Sequence, residues 1–250
     1  MTTPLRLTEK DRMPWLPGVH KAPNIQSDPD TYEIENLALD RDRLITDALW
    51  AVKPWDGAVV CDLGAGTGFW ASEFQAAARH VFLVEPHGPS RMLAASRIAH
   101  QGWENVSLLV GSAEKTHLAP RTCDLVHARF AYFWGPGCDA GLEEVERVLR
   151  PGGVLAIIDN DLRDGTFADW LSRLPSAHQR DPDTVDAFYR ERGFAIQTVR
   201  SSWRFDRRED LEAVVRLELP SIAEEVLADH RGLEVDYGFR LFTRKRLVRR

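Results

Sequence analysis

The chain has 250 residues, 44% of them hydrophobic, and its 32 Lys+Arg against 38 Asp+Glu leave a net charge of −6. That apolar content supports a packed core rather than disorder, and an acidic balance lacks the basic field that general nucleic-acid binding needs. No stretch reaches the roughly 20 apolar residues of a membrane span, so no membrane partner is expected. The first 21 residues carry prolines and charges instead of a signal peptide's apolar run. Cys61, Cys123 and Cys138 are odd in number and far apart, which suits neither a disulfide framework nor a zinc site. A cytoplasmic protein with reduced thiols is expected.

In chain order, Pro4, Pro14, Pro17, Pro23 and Pro29 predict an irregular arm over residues 1–30. A helix from about Thr31 to Trp50 follows, with Asp30 or Thr31 as its cap. From Gly57 short apolar runs alternate with helical stretches. Strands are predicted at 59–61, 81–84, 106–110, from 124, and at 154–158, with helices at about 69–78, 89–101 and 139–149. Continuous apolar runs suit strands buried on both faces, as in a parallel sheet. Beyond Asp161 the pattern predicts a helix near 183–191, a strand over 194–199, helical residues over 208–228 and a last strand over 235–242. The basic run Arg244-Lys245-Arg246, with Arg249-Arg250, reads as a solvated tail. The expected fold is α/β, a Rossmann-like doubly wound, mostly parallel seven-stranded sheet. An N-terminal arm and lid helix (1–56) would precede a core (57–250) with a helical insertion at about 203–231, in a single domain overall.

The strongest local signal is Val59-Val60-Cys61-Asp62-Leu63-Gly64-Ala65-Gly66-Thr67-Gly68, a strand entering a glycine turn before a helix. Glycines let a ligand approach the main chain without a Cβ in the way. Glu85 ends the next strand 21 residues after Gly64, the spacing at which a carboxylate meets ribose hydroxyls. Phe69 stands where a dinucleotide fold would need its third glycine, and no Gly-Lys-Ser/Thr follows, which disfavours NAD(P) and P-loop nucleotides.

With Glu85-Pro86, Gly111-Ser112-Ala113-Glu114, Asp124-Leu125-Val126 and Leu149-Arg150-Pro151-Gly152-Gly153, the region 57–160 resembles the class I S-adenosylmethionine (SAM) dependent methyltransferases, more loosely their type 11 small-molecule branch. The resemblance implies SAM as cofactor. Asp62, Gly64, Ala65, Gly66, Thr67 and Gly68 would then surround its methionine part, and Glu85 the ribose. Pro86 and Met92 would lie near the adenosine, and Ser112, Ala113 and Glu114 near the adenine, Ser112 replacing an acid common in the family. His127, Ala128 and Arg129 would sit beside the methionine moiety, Arg129 on its carboxylate or on an acidic substrate.

Methyl transfer mainly requires nucleophile, methyl carbon and sulfur to be collinear, with a base only where the acceptor holds a proton. Acceptor contacts are expected from the carboxyl ends of the strands: Phe130, Tyr132, Phe133 and Trp134 after the fourth, Asn160 after the fifth, with His20 and Tyr32 closing over the cofactor. Catalytic candidates are His127, Tyr132 and Asp159. The Asp159-Asn160-Asp161 run resembles metal-dependent catechol-type O-methyltransferases, but His127 and Arg129 stand where those place an acid, so no metal is expected. The leading expectation is methylation of a small organic acceptor at O, N or C, possibly in secondary metabolism, by an enzyme able to form a homodimer. The alternatives are a peptide or protein methyltransferase and a SAM-binding, non-catalytic partner subunit; a dinucleotide-binding reductase is more distant.

Overall fold

The computed structural model describes residues 22–175 and 180–247. It begins with helices α1 (Pro23–Ser27), α2 (Pro29–Ala38) and α3 (Leu44–Val52). Part of the expected irregular arm is therefore helical. Pro23 and Pro29 both occupy a first helical turn, where a missing N–H has no partner to lose. The single helix expected over 31–50 is broken instead. Asp40 and Arg43 adopt left-handed backbone, φ 54° and 60°, and the Asp40 carboxylate accepts from the amides of Ile45 and Thr46 to start α3.

The alternating core follows as β1 (Val59–Leu63), α4 (Ala71–Gln75), β2 (His80–Glu85), α5 (Gly88–Gln101), β3 (Val106–Val110), β4 (Cys123–Arg129), α6 (Asp139–Val148) and β5 (Leu149–Asn160). The chain continues through α7 (Thr166–Ser172), α8 (Pro182–Glu191), β6 (Ala195–Arg204), α9 (Arg208–Glu218), α10 (Ala223–Asp229) and β7 (Glu234–Lys245). The helical stretch expected over 208–228 is split around Pro220, whose ring nitrogen cannot donate to a continuing helix.

The strands form one seven-stranded sheet in the order β3-β2-β1-β4-β5-β7-β6, parallel except for β7, which runs against both its neighbours. This is the expected fold class. Val60, Leu83, Leu125 and Ala156 pack on one face beneath the side that carries α3, α5, α9 and α10. Cys61, Val84, Val126 and Leu155 pack on the other with α6 and α8. The strand order reverses between β1 and β4, and a crevice opens beyond their carboxyl ends, where open sheets bind ligands.

The basic run at 244–246 is no tail. Arg244 and Lys245 pair along β5 in β7, Arg246 exchanges main-chain hydrogen bonds with Gly152 and Gly153, and both arginines face Glu146. Among the described residues no helix is long and apolar enough to cross a membrane.

Candidate active site

At the end of β1 the chain turns through Gly64, Gly66 and Gly68, all with positive φ. A Cβ on Gly64 would stand 2.5 Å from Ala131 Cβ, and one on Gly66 2.7 Å from Ile25 Cδ1. The first contact brings the β4 loop against the turn; the second lays α1 across it. Glu85, buried at the end of β2, points its carboxylate at the same turn. Its Oε2 accepts from Gly66 N at 2.8 Å and its Oε1 from His87 N at 2.7 Å. Burial pushes this carboxyl above its usual range, against the two amides that favour its ionised form.

A cleft of about 980 Å³ lies between these strand ends and α1–α2. Of the residues expected at the cofactor, Gly64, Gly66, Glu85, Pro86, Ser112, Ala113, Glu114 and Arg129 line it. Asp62, Ala65, Thr67, Gly68 and Ala128 do not form its wall, and Met92 is exposed on α5. Thr67 is buried away from the cleft, and its hydroxyl donates to Glu33 of α2, which is also paired with Arg97 of α5. Of the residues expected at the acceptor, Tyr32, Phe130, Tyr132 and Trp134 line the cleft, and His20 lies outside the described residues.

Four expectations are corrected by strand alternation and packing. His127 shares its sheet face with Asp62, directly opposite it in the β1–β4 register. It is buried behind the cleft, its Nδ1 2.8 Å from Asp62 Oδ1 and its ring edge-on to Phe74. Asp159 points to the opposite face and forms an ion pair with Arg180. Asn160 accepts from the Tyr237 hydroxyl and is absent from the cleft wall. Phe133 is fully buried with α6 and α8. Tyr132 does reach the cleft, but its hydroxyl donates to Glu114 Oε1 at 3.0 Å and accepts from Gly141 N. Desolvation and Glu114 hold its pKa up, at about 12, so it keeps its proton at neutral pH. No group of three or more potential metal ligands comes together among the described residues.

The sequence reading expected a lid from the N-terminal arm and its helix, but named neither the α1 residues that line the cleft nor one buried cluster. Asn24, Ile25 and Gln26 of α1 line the cleft. Behind Tyr32, Glu35 of α2 meets Glu218 of α9. Burial and the facing Glu218 carboxylate push Glu35 well above the usual carboxylate range, and Glu218 also accepts from Asn24 Nδ2 at 2.8 Å. These residues had no local signature, since Asn24 and Glu218 lie 194 positions apart. Proximity to an acidic residue in a lid helix was the only available hint.

A glycine turn after the first strand, an acid ending the second, a cleft at the switch point and an antiparallel seventh strand define the class I SAM-dependent methyltransferases. Residues 60–153 match a family described as a methyltransferase domain, and over these residues the chain carries a methyltransferase domain. It is 28% identical over 174 residues to the ubiquinone/menaquinone biosynthesis C-methyltransferase UbiE of Rubrivivax gelatinosus, covering 63% of this chain and 67% of that one. It is 38% identical over 102 residues to a malonyl-[acyl-carrier protein] O-methyltransferase of Methylococcus capsulatus, covering 40% and 36% of the two chains. The chain thus spans between about a third and two thirds of these relatives. In fold it is similar to a putative methyltransferase of Bacillus halodurans, with a TM-score of 0.59 at 15% identity over 88% of this chain and 100% of that one. The YcgJ protein of Bacillus subtilis gives a TM-score of 0.57 at 20% identity, over 81% and 98%.

Proposed function

We propose that this protein is an enzyme that methylates a small organic acceptor with SAM, the cofactor of its class. The observation that carries the reading is the Glu85 carboxylate, held against the glycine turn inside a cleft that Tyr32, Phe130, Tyr132 and Trp134 also line. The residues fit the cofactor. Gly64 and Gly66 put main chain without a Cβ in the cleft wall beside Glu85, and each Glu85 oxygen keeps a lone pair beyond the amide it accepts.

In this reading Gly64 and Gly66 offer main chain to the methionine part. Asp62, Ala65, Thr67, Gly68 and Ala128 shape the turn from behind. Glu85 accepts from the ribose hydroxyls, Pro86 flanks the adenosine, and Ser112, Ala113 and Glu114 border the adenine. When bound, the cofactor supplies an electrophilic methyl group on a sulfonium. Tyr132, strapped to Glu114, closes the adenine side, while Ile25 and Tyr32 keep water out from above. The aromatic side chains of the cleft hold the acceptor in line.

Among the described residues the cleft is poor in bases. Tyr132 and Tyr32 are held protonated by burial, Glu85 and Glu114 are committed to the cofactor side, and His127 and Asp159 lie elsewhere. The protein therefore works by positioning, on an acceptor atom that carries no proton to be removed. Isothermal titration with SAM and S-adenosylhomocysteine (SAH) tests the reading. Micromolar binding of both is expected, and binding of neither overturns it.

A further inference from the structure

Arg129 closes β4 with its guanidinium 3.6 Å above the Trp70 ring and within 6 Å of the Phe130 and Phe239 rings. It is 8% exposed, and its Nε and Nη2 are buried without a hydrogen-bond partner. An unpaired buried cation is costly, so the neighbouring acids need to be accounted for. Asp40 is taken by the amides of Ile45 and Thr46 and by the Ser201 hydroxyl. Glu73 is paired with Arg43, and Asp62 with His127. Glu35 faces Glu218, and the Tyr237 hydroxyl donates to Asn160. None of these groups accepts a hydrogen bond from Nε or Nη2 of Arg129; Glu35, whose Oε2 is also unpartnered, feels its charge but faces Glu218. Burial lowers its pKa only to about 10, which leaves it charged at neutral pH.

The two unpartnered nitrogens form the side-on edge of the guanidinium, the fork that matches both oxygens of a carboxylate. Arg129 shares the cleft wall with Tyr32 and Phe130, the side from which a partner would approach it. The aromatic rings hold the guanidinium plane in place and keep the surroundings apolar, which strengthens a charged pair. We infer that the inner end of the cleft is a carboxylate site centred on Arg129, and that the methyl acceptor is a carboxylic acid held there by its ionised carboxylate.

This deepens the methyltransferase reading and rests on it for the entry of acceptors into the cleft. It also agrees with the cleft's poverty in bases, because a carboxylate is already deprotonated at neutral pH. SAM carries a carboxylate of its own, so the test separates the two sources.

Wild type, Arg129→Gln and Arg129→Lys are titrated first with SAH. Acetate, malonate and benzoate are then titrated into each SAH-saturated protein, followed by tryptophan fluorescence and calorimetry. SAH binding by wild type tests the cofactor reading alone. For the carboxylate site, at least one acid is expected to bind saturably to wild type and at least tenfold more weakly to Arg129→Gln, with SAH affinity changed less than twofold. Arg129→Lys, which keeps the charge but loses the fork, is expected between them. Three results overturn the site: no saturable acid binding by SAH-loaded wild type, equal acid binding by the Gln variant, or a tenfold loss of SAH affinity in both variants. The last would assign Arg129 to the cofactor's carboxylate. Should Arg129→Gln not fold, the Lys variant decides, since undiminished acid binding to it also overturns the fork.

Discussion

Two carboxylates only 23 positions apart in the chain do different work, and their surroundings say why. Glu85 accepts two main-chain amides beside the cleft. Asp62 lies one layer deeper, with Oδ1 on His127 and Oδ2 buried without a partner. Glu85→Ala is expected to weaken SAH binding by more than about 1 kcal/mol, because hydrogen bonds to a charged group contribute about 1.5–3 kcal/mol. Calorimetric affinity equal to wild type would remove Glu85 from the ribose. His127→Ala is expected to act on stability instead. It leaves a buried carboxylate with neither oxygen satisfied, at a cost of about 1–3 kcal/mol, readable as a lower urea midpoint. The pH–rate profile of the methylation reaction keeps its shape in that variant. A lost limb in the profile together with wild-type stability would make His127 the base after all.

Between elements, the informative contact is α2 on α9, where the roof of the cleft rests on helices far along the chain. Glu35 there carries a raised pKa from burial and from Glu218, against the opposing pull of Arg129, with Asn24 and Tyr32 alongside. For an acid raised on folding, the stabilising contribution is complete below the unfolded value of about 4.3 and is lost as pH rises through the folded value. Glu35→Gln, which cannot ionise, is therefore expected to gain stability relative to wild type as pH rises above the unfolded value of about 4.3. A gap between the two melting curves that stays flat with pH would contradict the raised pKa of Glu35. The same contact marks the limit of reading by sequence. Residues 154–158 of β5 were legible because burial on both faces leaves an unbroken apolar run, and the glycine turn was legible because its positive φ values and the close approach of Ala131 and Ile25 leave no room for a Cβ. Helix α1 and the first turn of α2 were not, since Pro23 and Pro29 read as breakers when they are starters. Arg244 and Arg246 resembled a tail because their partner, Glu146, sits on a distant helix. His127 and Asp159 were misplaced for a simpler reason: adjacent strand residues point to opposite faces, and only the sheet register decides which face the cleft adjoins.

Across the whole molecule, the cleft joins parts that the sheet alone does not hold together. Ile25 of α1 touches the Gly66 turn, Glu33 of α2 is tied to Thr67 and to Arg97 of α5, and Asn24 reaches Glu218 of α9. A cofactor seated between turn and roof adds contacts to both, so its binding free energy adds to folding stability. At a SAH concentration of about 100 times its dissociation constant, linkage predicts a gain of about 2.7 kcal/mol. In a chain of this size each kcal/mol moves the melting temperature by roughly 2–4 °C, so a rise of roughly 5–10 °C is expected. Because α1 and α2 form the roof, their amides should also gain hydrogen-exchange protection with SAH, whereas those of β6 at the far edge of the sheet should not. Glu85→Ala, titrated at the same SAH concentration, should show a smaller rise, since the ratio of ligand to dissociation constant falls. A wild-type rise accompanied by protection of the turn but none over α1 and α2 would mean that the cofactor binds beneath an independent roof.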